Sequence, residues 1–275
     1  MQVLKQIAIV VGAAVIGSAA FQAVAGNWLL ALVVGVAGAV LMLLAYAWAI
    51  RTTEHRAPVE VGLAGAGRAT GPGVLIGMLS FSAVIASIAL GGGYHVESGS
   101  VTAAIGLVGM VAAGAVAEEV MFRGLLLRLV EKRTGTWVAL LVSSVLFGAM
   151  HITNPDASVL GLVMIALTGG AMLGAAYIAT RTLWAPIGLH IGWNFAGAGI
   201  FGTVVSGGDM PSGLLEGVAS GPAILTGGDF GPEGSIYALL VCTVVTASYL
   251  VLARKRGNIR PSRRRAARIP STTTV

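Results

Sequence analysis

The sequence has 275 residues, of which 56% are hydrophobic and only 10% are charged, and its mean hydropathy is +0.88. Soluble globular proteins carry about 25% charged residues, so this composition excludes both a water-soluble fold and a disordered chain. The single cysteine, Cys242, excludes a disulfide scaffold. The net charge of +6 is compatible with nucleic-acid binding or with membrane topology, so the positions of the 17 basic residues must decide.

Eight apolar runs approach or exceed the length of about 20 residues that a bilayer-spanning helix needs. In chain order they are Ile7–Ala25, Trp28–Ile50, Pro72–Leu90, Val101–Leu129, Trp137–His151, Val159–Ala179, Trp184–Thr203 and Ser235–Ala253. Only Gly26 and Asn27 separate the first two runs, which predicts a helical hairpin with a tight turn. The predicted fold is all-α, a polytopic membrane protein of about eight transmembrane helices in which residues 1–253 form one membrane-embedded domain.

The basic residues alternate from one connection to the next. Sixteen of the 17 lie before the first span, after the eighth, or in the second, fourth and sixth connections, when Arg128, one residue before the end of the fourth span, is counted with the fourth connection, and the other connections contain none. This positive-inside pattern predicts a multi-pass protein of the cell membrane with both termini in the cytoplasm. The basic tail, 254–275, follows a membrane helix directly and has no aromatic residues, so it is interpreted as an anchor against anionic lipid. We expect no nucleic-acid partner.

Two segments leave alternatives open. Lys5, the apolar run after it and Ala23-Val24-Ala25 together resemble a signal peptide with a cleavage site, but the run is long for one and a retained helix is favoured. The connection 204–234 is long and rich in glycine and acidic residues. Loops of this length are usually functional or flexible, so it is either a lid or partner-binding surface or a disordered connector.

Ionisable residues inside a predicted span are costly and therefore indicate a functional site. Glu118, Glu119 and Arg123 follow an apolar run of about 25 Å, which places them within the hydrocarbon layer. Glu119 and Arg123 are four residues apart, so they share a helix face and can pair. Glu118 is rotated about 100° away and lacks that partner. This separation leaves Glu118 available for proton transfer.

Two further polar groups lie in later spans: His151 at the end of the fifth, and His190 with Asn194 one helical turn apart in the seventh. Each feature alone could be structural, the Glu/Arg pair as a packing device and the His/Asn pair as a bridge between helices. Their joint occurrence indicates a hydrolytic site. No G-x-S-x-G nucleophile motif is present, so activated water is the expected attacking group.

The residues leave the means of activation open. Glu118 or His151 could act as the general base, with His190 and Asn194 as oxyanion donors. Alternatively, Glu118, His151 and His190 could hold a catalytic zinc ion with an open position for water. Counted from the predicted cytoplasmic ends, Glu118 lies about 15 Å deep, His190 about 9 Å and His151 about 21 Å. Unless the structure removes this difference in depth, His151 is misassigned.

The three motifs in order resemble the CPBP family of CAAX proteases and bacteriocin-processing enzymes, also called the type II CAAX prenyl endopeptidase or abortive-infection family. They are Glu118-Glu119-x-x-Phe122-Arg123-Gly124, Phe147-x-x-x-His151 and His190-x-x-x-Asn194, with Ala185-Pro186-Ile187 before the last. The resemblance covers about residues 112–199, within a family-like core of about 101–203. It implies an intramembrane endopeptidase, for which both metallo and glutamate mechanisms have been argued.

Carried over to this chain, the resemblance implies that Glu118 and His151 activate water, that His190 and Asn194 form the oxyanion hole, and that Glu119 and Arg123 shape the site. The expected partners are the lipid bilayer and a membrane-anchored peptide or protein, with no certain cofactor. Substrate identity, any need for prenylation and the oligomeric state do not follow from it. The alternatives are a non-catalytic membrane immunity or scaffold protein and a proton-coupled transporter.

Overall fold

The computed structural model describes residues 1–208 and 213–262. It is 76% helical, and seven helices in this part of the chain are long and apolar enough to cross a membrane, which confirms the all-α polytopic fold class. The long helices are α1 Gln2–Gln22, α2 Trp28–Glu54, α3 Ala66–Leu90, α4 Val101–Thr134, α5 Thr136–Met150, α6 Val159–Thr180, α7 Trp184–Asn194 with the π-helix Phe195–Ile200, and α8 Ile236–Lys255.

The predicted hairpin between α1 and α2 is present. Asn27 begins α2 as its N-cap, because its side-chain oxygen accepts hydrogen bonds from the backbone N–H groups of Leu29 and Leu30, each at 3.1 Å. Such a cap satisfies donors that a helix start otherwise leaves unpaired. The two helices therefore pack side by side immediately after a short turn.

The fourth span is predicted to end at Leu129, but α4 continues to Thr134. Its 34 residues correspond to about 50 Å, which is longer than a hydrocarbon core of about 30 Å. The added turns carry Glu131 and Lys132, so the helix extends into a polar region that a search for apolar residues does not include. Within α4, residues Val120–Leu127 are π-helical.

The connections that contain basic residues meet at one end of the bundle, which we call the basic end and define by Glu54, Arg128, Glu131 and Arg181. Arg128 on α4 donates to both carboxylate oxygens of Glu54 at the end of α2, at 2.9 and 2.6 Å. Arg181, between α6 and α7, pairs with Glu131 near the end of α4 at 2.5 Å. These contacts bring the second, fourth and sixth connections together, as the alternating charge pattern requires.

The other connections meet at the opposite end, which we call the outer end. There, β1 Tyr94–Ser98 and β2 Leu215–Ala219 form a two-stranded antiparallel sheet. The Asn154 side chain donates to the Ser206 carbonyl at 2.7 Å and so joins the α5–α6 connection to the same region. The small sheet was not predicted, because its strands lie in connections outside the apolar runs. The described part of the 204–234 connection is therefore packed onto the bundle.

The seventh predicted span is α7, whose 11 α-helical and six π-helical residues leave it outside the seven helices that meet the length criterion. Its start lies at the basic end, where the Leu183 N–H donates to the Glu60 carbonyl at 2.8 Å. Its far end lies at the outer end, where the Tyr94 hydroxyl donates to the Phe201 carbonyl at 2.8 Å. Although it is short, α7 thus runs between the same two ends as its neighbours.

Glycines allow α3 and α7 to pack closely. A Cβ atom placed on Gly77 of α3 would lie 2.2 Å from the Leu189 carbonyl oxygen, and one on Gly192 of α7 would lie 2.1 Å from the Val74 oxygen. Small residues at a helix interface permit such backbone contact. This packing fixes the helix that carries His190.

After α8, the chain folds back onto the basic end. Arg256 donates to the Ala179 carbonyl at 3.1 Å, and the Arg260 N–H donates to the Thr136 hydroxyl at 2.8 Å. The first part of the predicted tail therefore packs on the helical bundle. Its remainder, 263–275, lies outside the described residues.

Candidate active site

Glu119 and Arg123 form a buried ion pair on α4. Both side chains are 0% exposed, and Arg123 Nη1 donates to Glu119 Oε1 at 2.7 Å. Arg123 Nη2 donates to the carbonyl oxygens of Gly169 and Gly170 on α6, at 3.2 and 3.0 Å. The guanidinium carbon also lies 4.6 Å from the ring centroid of Phe147. The pairing expected from the spacing is present, and it ties α4 to α5 and α6.

His190 lies between the two adjacent glutamates. Its Nδ1 is 2.9 Å from Glu119 Oε1, and its Nε2 is 3.8 Å from Glu118 Oε2. Since Glu119 Oε1 already accepts from Arg123, it acts as an acceptor, and Nδ1 of His190 is assigned the proton. Nε2 is then the nitrogen left for chemistry, and Glu118 is its nearest carboxylate.

His151 is held by a backbone acceptor. It follows the last α-helical residue of α5, and its Nδ1 lies 2.8 Å from the Phe147 carbonyl oxygen. A carbonyl can only accept, so Nδ1 carries the proton and Nε2 has a free lone pair. The Phe147 ring contacts both imidazoles, with centroids 5.1 Å from His151 and 6.1 Å from His190.

One cavity of about 240 Å³ brings four of the predicted residues together. Glu118, His151, His190 and Asn194 all line it. Among Glu118, His151 and His190, the side chain of Glu118 is the most exposed, at 24%. Its Oε2 atom is nevertheless buried and has no hydrogen-bond partner among the described residues. The cavity therefore contains a partly exposed Glu118 carboxylate, 3.8 Å from His190 Nε2, and is also lined by His151, an arrangement that can bind and polarise a water molecule.

The structure removes the expected difference in depth between Glu118 and His151. Helices α4 and α5 meet at Gly135, beyond the predicted end of the fourth span. Counted from Gly135, Glu118 lies about 25 Å back along α4 and His151 about 24 Å forward along α5. The two residues are therefore level, and the contacts of His190 with Glu118 and Glu119 place it at the same depth.

Three π-helical turns adjoin this region. Arg123 lies in Val120–Leu127, the carbonyls that it contacts belong to Ala166–Gly170, and Asn194 directly precedes Phe195–Ile200. A π turn interrupts the regular α-helical hydrogen-bond ladder and is often found at functional sites. Hydrophobic periodicity does not reveal such turns, so the sequence did not predict them.

Glu118, His151 and His190 meet only some of the requirements of a metal site. Both imidazoles hold Nδ1 in a hydrogen bond and leave Nε2 free, as metal-ligating histidines do. Within residues 1–208 and 213–262, however, no group of three or more His, Cys, Asp or Glu side chains is close enough to hold a metal ion. The set Glu118, His151 and His190 therefore does not fit a three-ligand metal site in this geometry.

Sequence reasoning missed a polar group on the outer side of the cavity. Glu233, in the connection before α8, is 3% exposed and lines the cavity with Trp193 and Ser206. It accepts hydrogen bonds from the Trp193 indole N–H and from the Ser206 hydroxyl. Glu233 lies outside every apolar run, so membrane depth gave no signal for it. Its position two residues before Ser235, which caps α8, was the only cue.

A multi-pass membrane protein with a buried Glu–His cavity is the class that this fold and site define. A protein-family model described as Type II CAAX prenyl endopeptidase Rce1-like matches residues 100–196. The comparisons with curated proteins and with solved structures returned no match.

The match covers 97 of the 275 residues and supports the resemblance to the CPBP family of CAAX proteases that the three motifs indicated. The matched segment contains Glu118, Glu119, Arg123, His151, His190 and Asn194. The match supports a CAAX-type endopeptidase activity in general. It does not identify the role of any residue.

Proposed function

We propose that this protein is an intramembrane endopeptidase that hydrolyses a peptide bond of a membrane-associated peptide or protein with activated water. The observation that carries the proposal is the shared cavity, which Glu118, His151, His190 and Asn194 line together and to which the Glu118 side chain is partly exposed. The match to the family model supports the reaction class. The role of each residue follows from its hydrogen bonds.

Glu118 and His151 are suited to activating the water. The Glu118 carboxylate is partly exposed and its Oε2 has no hydrogen-bond partner among the described residues, so it can accept a hydrogen bond and then one proton from a water molecule. His151 Nε2 has a free lone pair, because Nδ1 is bound to the Phe147 carbonyl, and it can accept a hydrogen bond from the other O–H of that water, which keeps this second proton. General bases of this kind contribute about 10²- to 10⁴-fold to rate.

His190 and Asn194 are suited to stabilising the oxyanion of the tetrahedral intermediate. Asn194 supplies amide N–H donors, while His190 can donate from Nε2 only as an imidazolium, because Nδ1–H is bound to Glu119. Glu118 and Glu119 flank the ring, and their negative charges stabilise that positive charge. One such donor is worth about 3–4 kcal/mol of transition-state stabilisation in known enzymes.

The proposed steps conserve atoms and charge. Glu118 takes a proton from water while the water oxygen attacks the scissile carbonyl carbon. The carbonyl π electrons move to the carbonyl oxygen, which becomes the oxyanion. When the intermediate collapses, the C–N bond breaks and the proton on Glu118 passes to the leaving nitrogen. The products are a carboxylic acid and an amine. Glu119 and Arg123 hold His190 and Phe147 in place and take no proton.

We further propose that the basic end faces the cytoplasm, that the protein lies in the cell membrane, and that both termini are cytoplasmic. The positive-inside pattern supports this orientation. Cysteines placed at Thr52 and at Ser220 should react with an impermeant thiol reagent from opposite sides of intact cells, in a Cys242→Ala background. Labelling of both positions from the same side would contradict this orientation.

The substrate class is proposed from the family description alone. A peptide with a prenylated CAAX terminus is the first probe, and the same sequence on a plain acyl anchor is the second. Cleavage of both would make the membrane anchor sufficient, whereas cleavage of the first alone would make the prenyl group a determinant. We expect a bilayer or detergent environment to be required and nucleic acid to have no effect.

The deciding experiment measures cleavage of both probes by the purified full chain, by Glu118→Gln and by His151→Ala. Both variants should lose activity about 10²-fold or more while remaining folded. Glu97→Gln, a change at an exposed position in β1, is the matched control and should retain activity. Normal turnover by both site variants would overturn the proposal and favour the scaffold or transporter alternative.

Metal analysis of the same preparation tests the remaining alternative for activation. The proposed mechanism predicts activity in preparations that hold far less than one zinc per chain, and no loss with chelator. Stoichiometric zinc, with activity lost on chelation and restored by zinc, would replace Glu118-activated water by zinc-activated water. The endopeptidase assignment would survive that result.

A further inference from the structure

A continuous set of hydrogen bonds crosses the outer side of the cavity and is centred on Glu233. One carboxylate oxygen accepts from the Trp193 indole N–H, and the other accepts from the Ser206 hydroxyl at 2.5 Å. All three side chains line the cavity. Glu233 and Ser206 come from the α7–α8 connection, so a segment without catalytic motifs forms part of the cavity wall.

The chain of contacts continues to the turn that carries His151. The Ser206 carbonyl accepts from the Asn154 side chain at 2.7 Å, and the Asn154 N–H donates to the His151 carbonyl at 3.1 Å. At its other end the chain starts at Trp193, the residue before Asn194. Glu233 therefore links the helix of His190 and Asn194 to the turn of His151.

Both linked positions lie where a helix becomes irregular. His151 begins the 3-10 turn His151–Thr153 after α5, and Asn194 ends the α-helical part of α7 before the π-helix Phe195–Ile200. Fewer regular α-helical backbone hydrogen bonds therefore hold these residues than hold residues in the middle of a helix. Contacts from outside the two helices must supply the rest, and Glu233 bonds directly to Trp193 on α7 and reaches the His151 turn through Ser206 and Asn154.

We propose that Glu233 is a positioning residue for the proposed peptidase reaction, holding the His190–Asn194 helix and the His151 turn at their working separation. This inference rests on the proposed function. Glu233 acts here through geometry and not through its charge, because both of its hydrogen-bond donors are neutral. A glutamine can keep both links, since its carbonyl accepts from Trp193 and its amide donates to the Ser206 hydroxyl.

The test compares Glu233→Ala with Glu233→Gln in the full chain, on the prenylated CAAX peptide and the acyl-anchored peptide. Glu233→Ala should lower kcat about 10- to 100-fold, with a much smaller change in KM, because misplaced groups slow the chemical step. Glu233→Gln should recover most of the loss. An unchanged kcat in Glu233→Ala, or an equal loss in both variants, would overturn the positioning role.

Two milder variants keep the proposal testable if Glu233→Ala does not fold. Trp193→Phe removes only the link to α7, and Ser206→Ala removes only the link toward His151. Each should lower kcat less than Glu233→Ala. If the links act as one unit, the double variant should lose no more than Glu233→Ala does, and fully multiplicative losses that exceed it would contradict the proposal.

A readout without substrate separates this inference from the proposed function. Mass spectrometry would follow diethyl pyrocarbonate modification of His151, with the exposed His95 as internal reference. Glu233→Ala should raise the relative reactivity of His151 several-fold, and Glu233→Gln should not. Unchanged reactivity would overturn the positioning role even if the enzyme is active. If wild-type protein cuts neither peptide, the proposed function fails while this measurement still decides the role of Glu233.

Discussion

The basic end and the cavity both contain glutamates next to arginines, but they differ in how fully those groups are paired. At the basic end, both oxygens of Glu54 accept hydrogen bonds from Arg128. In the segment Glu118–Arg123, Glu118 Oε2, Glu119 Oε2 and Arg123 Nε are buried and have no hydrogen-bond partner among the described residues, and of these three residues only Glu118 lines the cavity. Full pairing is what stability requires, whereas the incompletely paired and partly exposed carboxylate of Glu118 can interact with a substrate or with water.

This difference separates two uses of charge in one membrane protein. The ion pairs of the basic end join the connections and hold the helices together. The cavity carboxylates carry a cost in stability that only a reaction would justify. Substitutions confined to one region at a time therefore separate an effect on stability from an effect on activity.

The largest expected loss of stability comes from Arg123→Met. The change leaves the Glu119 carboxylate, 0% exposed, without its cation, and breaking a buried pair in this way costs about 3–5 kcal/mol. Thermal unfolding in one detergent should show a large decrease in Tm. The double variant Glu119→Gln/Arg123→Met should recover much of it, and a Tm of Arg123→Met equal to that of wild type would show that the pair is not structural.

A second prediction concerns the packing that positions His190. Gly77→Ala should destabilise the protein by about 1–3 kcal/mol and lower cleavage, because the new methyl group would lie 2.2 Å from the Leu189 carbonyl oxygen. Gly71→Ala on the same helix is the matched control, since a methyl group at that position would have no atom of another helix within 4 Å. Equal behaviour of the two variants in unfolding and cleavage assays would contradict the close packing of α3 on α7.

The smallest effect is expected at the exposed edge of the basic end. Lys132 is 46% exposed and lies 3.3 Å from Glu54, so Lys132→Gln should cost less than about 1 kcal/mol and leave cleavage unchanged. Arg128→Gln, which removes a side chain only 5% exposed from the same carboxylate, should cost about 1.5–3 kcal/mol. A reversed order in thermal unfolding would refute this ranking by burial.

The sequence predicted the helices well because apolar runs and loop charges follow directly from the requirements of a bilayer. It also predicted that Glu119 would pair with Arg123, since a spacing of four residues fixes a shared helix face. The end of α4 was misplaced by five residues because Glu131 and Lys132 fall outside an apolar run although the helix continues. The spacing of the apolar residues did not reveal the π-helical turns.

The outer wall of the cavity could not be predicted for a different reason. Glu233 reaches Trp193 and Ser206 through tertiary contacts made by a connection with no helical or strand periodicity. Spacing arguments apply within an element and not between a loop and a helix 40 residues away in sequence. The depth of His151 was uncertain for a related reason, because it depended on where the turn at Gly135 begins.

The most direct measurement compares two glutamates, Glu118→Gln in the cavity and Glu54→Gln at the basic end, for cleavage rate and thermal unfolding in the same preparation. We predict that Glu118→Gln loses cleavage about 10²-fold or more with little change in Tm, since Glu118 Oε2 has no hydrogen bond to lose among the described residues. Glu54→Gln should lower Tm and retain cleavage per folded molecule. Normal cleavage by Glu118→Gln, or loss of cleavage by a folded Glu54→Gln, would contradict the assignment of the cavity as the active site.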